Sequence, residues 1–573
     1  MSPLKLRTWA LAATLMALQA PTIFSAAPPN KAKVDGQITG TETASQGDPI
    51  AVIVRAQNKP DWASLQKALR KHGVANLRLA PQANAISFSI STSDLAWLET
   101  LPGVASISID APVASAPLSS EGLLSNTGNG LVKKSQLRAL LGLSETDPTG
   151  SGIGVAIVDS GIAPVSDLVN RIAAFYDFSD GKPGLATAPV DGFGHGTHIA
   201  GLVAGSGGLS GGQYAGVAPN ARLIGLRVLN NSGTGSTSDV IAAIEFAITN
   251  KKALGIDILN LSLGHPVFES AATDPLVQAV EAASNAGILV VVSAGNVGTN
   301  SETNKTGYAG ILVPGNAPSA FTVGSAKTQG TIDPTDDRIA NYSSRGPTWI
   351  DGFAKPDFAA PGQDLAAPAS PGSYLATNYP SLLTNDNFGG KTYIVLSGTS
   401  VAAGVESGLL AVALEGNRLA NPSGPRVTHN ALKAFTEYSA LTMHDATGLA
   451  YDRLTQGAGR VNGQGLLKLV RSINTAVPVG SPWLTMSVVP YSTYAGVLVP
   501  WTQNIVWGEN IVWGENIVWG ENIVWGENIV WGENIVWSEN IVWGENIVWG
   551  ENIVWAENIV WAESVSGQNG GAR

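Results

Sequence analysis

Apolar runs of strand length recur through the middle of the chain, at Gly154–Val158, Leu223–Val228, Ile256–Leu261, Leu289–Ser293 and Phe321–Val323. They are continuous rather than alternating, which predicts strands covered on both faces. Helical patterns lie between several of them, notably Ser238–Leu254 and Asp274–Ala286. Strands alternating with helices in this way predict an α/β domain built on a parallel sheet, over residues 131–475. Function in such sheets gathers at the carboxyl ends of the strands. Asp159 ends one predicted strand, and Asn296 follows another.

The preceding residues follow another pattern. Ile50–Val54 and Val104–Ile109 read as strands, Ala85–Ile90 alternates like a third, and Asp61–His72 and Ser93–Thr100 read as helices. This β-α-β-β-α-β-like order, with one strand unplaced, predicts a small α+β ferredoxin-like unit over residues 49–115. Residues 116–130, rich in Ala, Pro, Ser and Gly, read as an exposed, cleavable link. Residues 28–48 and 476–500 read as further linkers, and 564–573 as a tail.

At the start, Lys5 and Arg7 precede the apolar run Trp9–Leu18, and small residues follow at Ser25, Ala26 and Ala27. The run is too short to span a bilayer and matches a secretory signal over residues 1–27. The alternative is an N-terminal helix packed on the protein. Near the other end, Asn-Ile-Val-Trp recurs ten times between Asn504 and Asn558 with a period of six, defining a repeat region over 501–563. On a helix successive Trp residues would turn by about 240° and form no stripe. On a strand Ile, Trp and Glu share one face. The region is therefore β-prone, and hexapeptide repeats are one signature of stacked β-solenoids. Near-identical units also leave register weakly specified, which favours self-association or surface contact.

Composition narrows the chemistry. The chain has no cysteine, so disulfides, thiolate metal sites and thiol catalysis are excluded. The net charge of −11 argues against nucleic acid as a partner. Ten of the acidic residues are Glu in the repeat region, so the remainder of the chain is nearly neutral.

Three blocks carry candidate chemistry: Val155-Ala156-Ile157-Val158-Asp159-Ser160-Gly161, Gly194-His195-Gly196-Thr197-His198, and Ser397-Gly398-Thr399-Ser400. A serine that attacks a peptide carbonyl needs a neutral His to take its proton and a carboxylate to orient that His. His195 opens a helix-like segment between two glycines that allow close backbone approach. Ser400 begins another small-residue helix, where backbone N–H groups favour developing negative charge. Each block has a plainer reading alone: a strand-end Asp, a packed His pair, a helix cap. A metal pair at His195 and His198 is disfavoured, because the zinc-protease motif needs Glu where Gly196 stands.

Together the blocks resemble the secreted subtilisin-like serine proteases, the subtilase family, over roughly residues 145–470. Ser293-Ala294-Gly295-Asn296, Tyr342-Ser343-Ser344-Arg345-Gly346-Pro347, Lys355-Pro356-Asp357 and Gly457-Ala458-Gly459-Arg460-Val461-Asn462 extend the likeness. The resemblance implies a subtilisin-like doubly wound parallel sheet and a catalytic Asp159, His195 and Ser400. It also implies Asn296 as oxyanion donor, and a cleft edged by Ser262-Leu263-Gly264 and Gly233-Thr234-Gly235. A pocket near Gly295 would take the residue before the scissile bond, with apolar or broad preference. The 49–115 unit resembles the family's inhibitory propeptide, which makes the chain a zymogen whose partners are protein or peptide substrates and its own propeptide. No cofactor is required; the family's structural calcium is allowed for, with no loop assigned to it. The expected location is secreted or extracellular, with cell-surface association through the repeat as an option.

Two positions depart from the family's usual run after the nucleophile. Gly404 replaces a Pro, and Glu406 brings a charge into a helix the family keeps mostly apolar. Glu406 is expected to face water or find a partner. A rival reading makes the chain a binding or adhesion protein, with the repeat carrying function and the subtilase domain degenerate.

Overall fold

The computed structural model describes residues 34, 49–115, 136–300, 303–477 and 484–503, together with ten two-residue strands of the repeat. The expected signal segment, the linker 28–48 apart from Val34, the cleavable link 116–130 and the tail 564–573 lie outside the described residues.

The N-terminal unit contains β1 (Pro49–Ala56), α1 (Lys59–His72), β2 (Arg78–Ala80), β3 (Ala85–Ser91), α2 (Leu95–Thr100) and β4 (Val104–Ile109). Its sheet order is β2-β3-β1-β4, with antiparallel neighbours throughout. Helix α1 starts where the Asn58 side chain accepts from the Asp61 N–H and ends at Gly73 in the left-handed region. Leu65 and Leu69 of α1, Leu95 and Leu98 of α2, and Val52, Val54, Ile86 and Ile107 of the sheet fill one core. The strand left unplaced by pattern is β2, only three residues long.

The α/β domain has a nine-stranded sheet. Its strands are β6 (Gly154–Asp159), β7 (Ile172–Asp177), β8 (Leu185–Ala186), β9 (Arg222–Arg227), β11 (Ile258–Leu261), β13 (Leu289–Ser293), β14 (Phe321–Lys327), β15 (Arg338–Ile339) and β16 (Phe358–Pro361). The main path runs β15-β14-β13-β11-β6-β9-β7-β8, and β16 pairs with β14. Strands β7, β9, β6, β11, β13, β14 and β16 are mutually parallel along their pairings, and β8 and β15 add antiparallel edges. All six residues of β6 are buried, as its unbroken apolar run requires. Helices α3 (His195–Ala204) and α6 (Thr399–Ala420) cover one face, while α4 (Thr237–Leu254) and α5 (Pro275–Asn285) cover the other.

Residues 476–500, expected as a linker, contain a hairpin in which Tyr491–Tyr494 pairs with Val497–Pro500. Tyr494, Val499 and the following Trp501 are buried against the α/β core, so alternating apolar residues make this stretch part of the domain. Beyond it the repeat strands pair in parallel at a fixed offset: Ile505 with Ile523, Ile511 with Ile529, Ile517 with Ile535. They form three separate small sheets. The Trp, Gly, Glu and Asn positions of the repeat lie outside the described residues.

Candidate active site

Two loops and two helix starts converge at the carboxyl ends of β6 and β11. Gly194 holds φ +104 immediately before α3, and a Cβ on Gly196 would stand 2.2 Å from the Gly161 carbonyl oxygen. Only glycine permits that turn and that approach. The result seats the His195 ring against the end of β6, where Nδ1 lies 2.9 Å from both Asp159 carboxylate oxygens. His195 is 1% exposed and Asp159 fully buried. Burial lowers the basicity of the His195 imidazole, but the Asp159 charge and hydrogen bond, with Asp191 behind it, leave its pKa above the ordinary value.

Asp191 escaped the sequence reading. Its carboxylate accepts hydrogen bonds from Ser160 Oγ (2.9 Å), Gly194 N (2.7 Å), Thr197 N (2.8 Å) and Thr197 Oγ1 (2.6 Å). It thereby satisfies donors at the start of α3 and ties that helix to the loop after Asp159. An Asp shortly before a small-residue helix start was the available signal. His198 faces inward as expected: its Nε2 meets the Leu365 carbonyl at 2.9 Å, and burial first of all pushes its pKa down to about 3.

Ser400 lies in the first turn of α6 and is 2% exposed. Its hydroxyl donates to the Ser262 carbonyl oxygen at 3.3 Å, and the Ser262 hydroxyl donates to the Ser400 carbonyl at 3.1 Å. Asn260 Nδ2 donates to Ser262 Oγ (2.9 Å), and Ser407 Oγ donates to Asn260 Oδ1 (2.9 Å). This network fixes α6 to the end of β11. Asn296 stands beside the loop that leads into Ser400: its Oδ1 accepts from Thr399 N (2.9 Å) and Thr399 Oγ1 (3.0 Å). Using Oδ1 for both contacts sets the amide orientation.

A short strand runs through the cleft. β5 (Pro112–Ser115) lies antiparallel between β10 (Thr234–Ser236) and β12 (Leu263–Gly264). Ala114 pairs with both Thr234 and Gly264, Ser115 with Leu263, and the Ser115 N–H donates to the Gly233 carbonyl (3.2 Å). These are the two edges singled out from sequence as a peptide cleft, and the strand between them belongs to the chain's own N-terminal segment. The unit carrying it is clamped to α4 and α5. Asp110 accepts from Ser238 N (2.8 Å) and Oγ (2.7 Å), and Glu245 Oε1 accepts from Gln82 N (2.8 Å) and Ala83 N (2.9 Å). Arg78 pairs with Asp239 at 2.5 Å, and Arg55 Nη1 donates to the Ala272 and Thr273 carbonyls, each at 3.2 Å.

The two departures after Ser400 take different forms. A Cβ on Gly404 would stand 3.2 Å from Ile199 Cγ2 and 3.5 Å from the Ile199 carbonyl, so glycine here lets α6 lie close on α3. Glu406 corrects the expectation placed on it. It is fully buried, and among the described residues neither carboxylate oxygen has a hydrogen-bond partner. Burial raises its pKa well above the ordinary value, which favours the neutral acid.

A buried Asp–His pair, a serine at a helix start and an adjoining strand-binding cleft, set at the carboxyl ends of a parallel sheet, define a domain of the serine-type endopeptidase class. The chain belongs to the subtilase family, whose profile matches residues 150–465. It is 39% identical over 321 residues to the serine protease AprX of Bacillus subtilis (strain 168), covering 55% of this chain and 66% of that protein. It is 33% identical over 265 residues to subtilisin DY of Bacillus licheniformis, covering 46% of this chain and 77% of that protein. Among solved structures, fervidolysin from Fervidobacterium pennivorans, described as a keratinolytic enzyme related to subtilisin, superposes with a TM-score of 0.53 at 21% identity. That likeness covers 78% of this chain and 63% of fervidolysin and bears on the fold alone. Among the described residues no helix is long and apolar enough to cross a membrane.

Proposed function

We propose that the chain is an exported serine endopeptidase made as a precursor that its own N-terminal unit inhibits. Ser400 Oγ attacks the scissile carbonyl, and His195 takes its proton and returns it to the leaving amine. Asp159 holds the imidazole and stabilises the imidazolium. The Ser400 N–H, unpaired within its helix turn, and the Asn296 side-chain amide receive the oxyanion. No cofactor takes part.

The observation that carries the reading is β5, paired on both sides by the cleft edges next to Ser400. A peptide held by backbone pairing binds as an added strand, with pockets rather than the backbone selecting sequence. A segment of the same chain in that place excludes substrate until it is cut free. Removal of the unit falls between Asp110 and Gly130, a span that includes the stretch 116–130 expected to be cleavable. Export follows from the basic and apolar N-terminal pattern.

The repeat is an appendage. Its in-register parallel pairing supports a three-strand coil stacked on itself, a geometry open to self-association or surface contact. Casein digestion by wild type and Ser400→Ala tests the catalytic assignment. Digestion lost in Ser400→Ala supports it, and equal digestion by both rejects it in favour of a degenerate, adhesive chain.

A further inference from the structure

The register of β5 selects one peptide bond of the chain. Ala114 pairs with Gly264 and Ser115 with Leu263, so the next position of the ladder falls opposite Ser262. Hydrogen bonds to the two neighbours alternate along an antiparallel strand. The Ser115 N–H donates to the Gly233 carbonyl on the β10 side (3.2 Å), so the N–H that follows turns to the β12 side and the Ser262 carbonyl. That same carbonyl accepts the Ser400 hydroxyl at 3.3 Å. The bond after the next residue is therefore the one set before the nucleophile. In sequence Ser115 is followed by Ala116 and Pro117.

The register is held from upstream. Thr237 N and Oγ1 both donate to the Ala111 carbonyl at 2.9 Å, and the Asp110 N–H donates to the Ala51 carbonyl at 2.9 Å. The Asp110 carboxylate is fixed on Ser238 N (2.8 Å) and Oγ (2.7 Å). A slip by one residue would break these bonds and turn every side chain of β5 to the opposite face.

We propose that Pro117 locks the precursor: the register sets Ala116–Pro117 at Ser400, a bond the cleft binds and does not cut, and release waits for a cut between Leu118 and Gly130 by a second molecule. The proposal rests on the endopeptidase reading and names the regulation of that site. A residue before proline is confined to extended backbone, which suits a strand in the cleft. Cleavage makes the opposite demand. Ser400 Oγ must bond to the carbonyl carbon as the C–N bond breaks, and the leaving nitrogen must take the proton that His195 drew from Ser400. In proline that nitrogen is tertiary, and Cδ stands where other residues carry the amide hydrogen. The ring crowds both the carbonyl that Ser400 attacks and the nitrogen that His195 must protonate. While β5 fills its own cleft, the bonds beyond Pro117 have no access to the Ser400 of the same molecule, so the productive cut is intermolecular. Water then hydrolyses the acyl group on the second molecule.

Purified precursors of wild type, Pro117→Ala and Pro117→Ser test this at several protein concentrations, by N-terminal sequencing of the mature chain and timed casein digestion. Wild type is expected to begin between Leu118 and Gly130, with an activation rate per molecule that rises with concentration. Both variants are expected to begin at residue 117. They should activate about tenfold or more faster at low concentration, at a rate independent of it. A wild-type chain that begins at or before Pro117 overturns the proposal, and so do variants with the wild-type start and concentration dependence. Casein digestion that disappears in Ser400→Ala upholds the endopeptidase reading whatever the start. Digestion unchanged in Ser400→Ala overturns that reading and this proposal together.

Discussion

Replacing Glu406 with Leu is expected to stabilise the protein, and to do so more strongly as pH rises. The side chain is fully buried in α6, and its carboxyl oxygens lack hydrogen-bond partners among the described residues. A buried polar group without a partner costs about 1–3 kcal/mol, and Leu removes that cost with little change in volume. Protonation adds to the effect. Burial holds the native pKa well above the ordinary value of 4.5. Between 4.5 and the native pKa, the unfolded chain is ionised while the folded chain keeps its proton, so wild-type stability falls as pH rises through this window. The slope is about 1.4 kcal/mol per pH unit, and Glu406→Leu lacks it. Urea unfolding should be followed at several pH values above 5, with both chains carrying Ser400→Ala to prevent self-digestion. A stability difference that favours Leu and widens with pH is expected. A destabilised Leu variant, or a difference that does not change with pH, would refute the reasoning.

Other consequences are equally open to measurement. Because His195 must be neutral to accept a proton and its pKa is raised above 6.5, the acid limb of kcat/KM should have its midpoint above pH 6.5. Asp159→Asn removes the carboxylate that raises it, so the midpoint should move down and kcat should fall by about 10⁴-fold. Asp357 is fully buried and pairs with both Lys355 (2.9 Å) and Lys433 (2.9 Å), so Asp357→Asn should cost about 3–5 kcal/mol in urea unfolding. Glu245→Ala leaves the Gln82 and Ala83 N–H groups without their acceptor, and precursor should be activated about tenfold or more faster in a timed digestion assay.

The strands with unbroken apolar runs were legible because burial on both faces leaves no polar position; β6 and β13 are examples. β7 was not, since its Ile-Ala-Ala-Phe-Tyr-Asp sequence is only half buried and alternates weakly. The three chemical blocks were legible because Asp159, His195 and Ser400 occur together in one order at element ends, although each block alone has a plainer reading. Asp191 was not, because its importance lies in what approaches it from distant segments. The environment of Glu406 was beyond reach for the same reason: a periodic pattern shows the face of a helix, not whether a partner waits there. The place of β5 between the two expected cleft edges was not legible, because nothing in the pattern of residues 112–115 says which distant strands they pair with.

The most direct test of a self-inhibited protease is N-terminal sequencing of the protein secreted by wild type and by Ser400→Ala. Wild type should begin between Asp110 and Gly130, and Ser400→Ala should retain residues 49–115. Identical N-termini for the two, or a wild-type start before Asp61, would contradict the account.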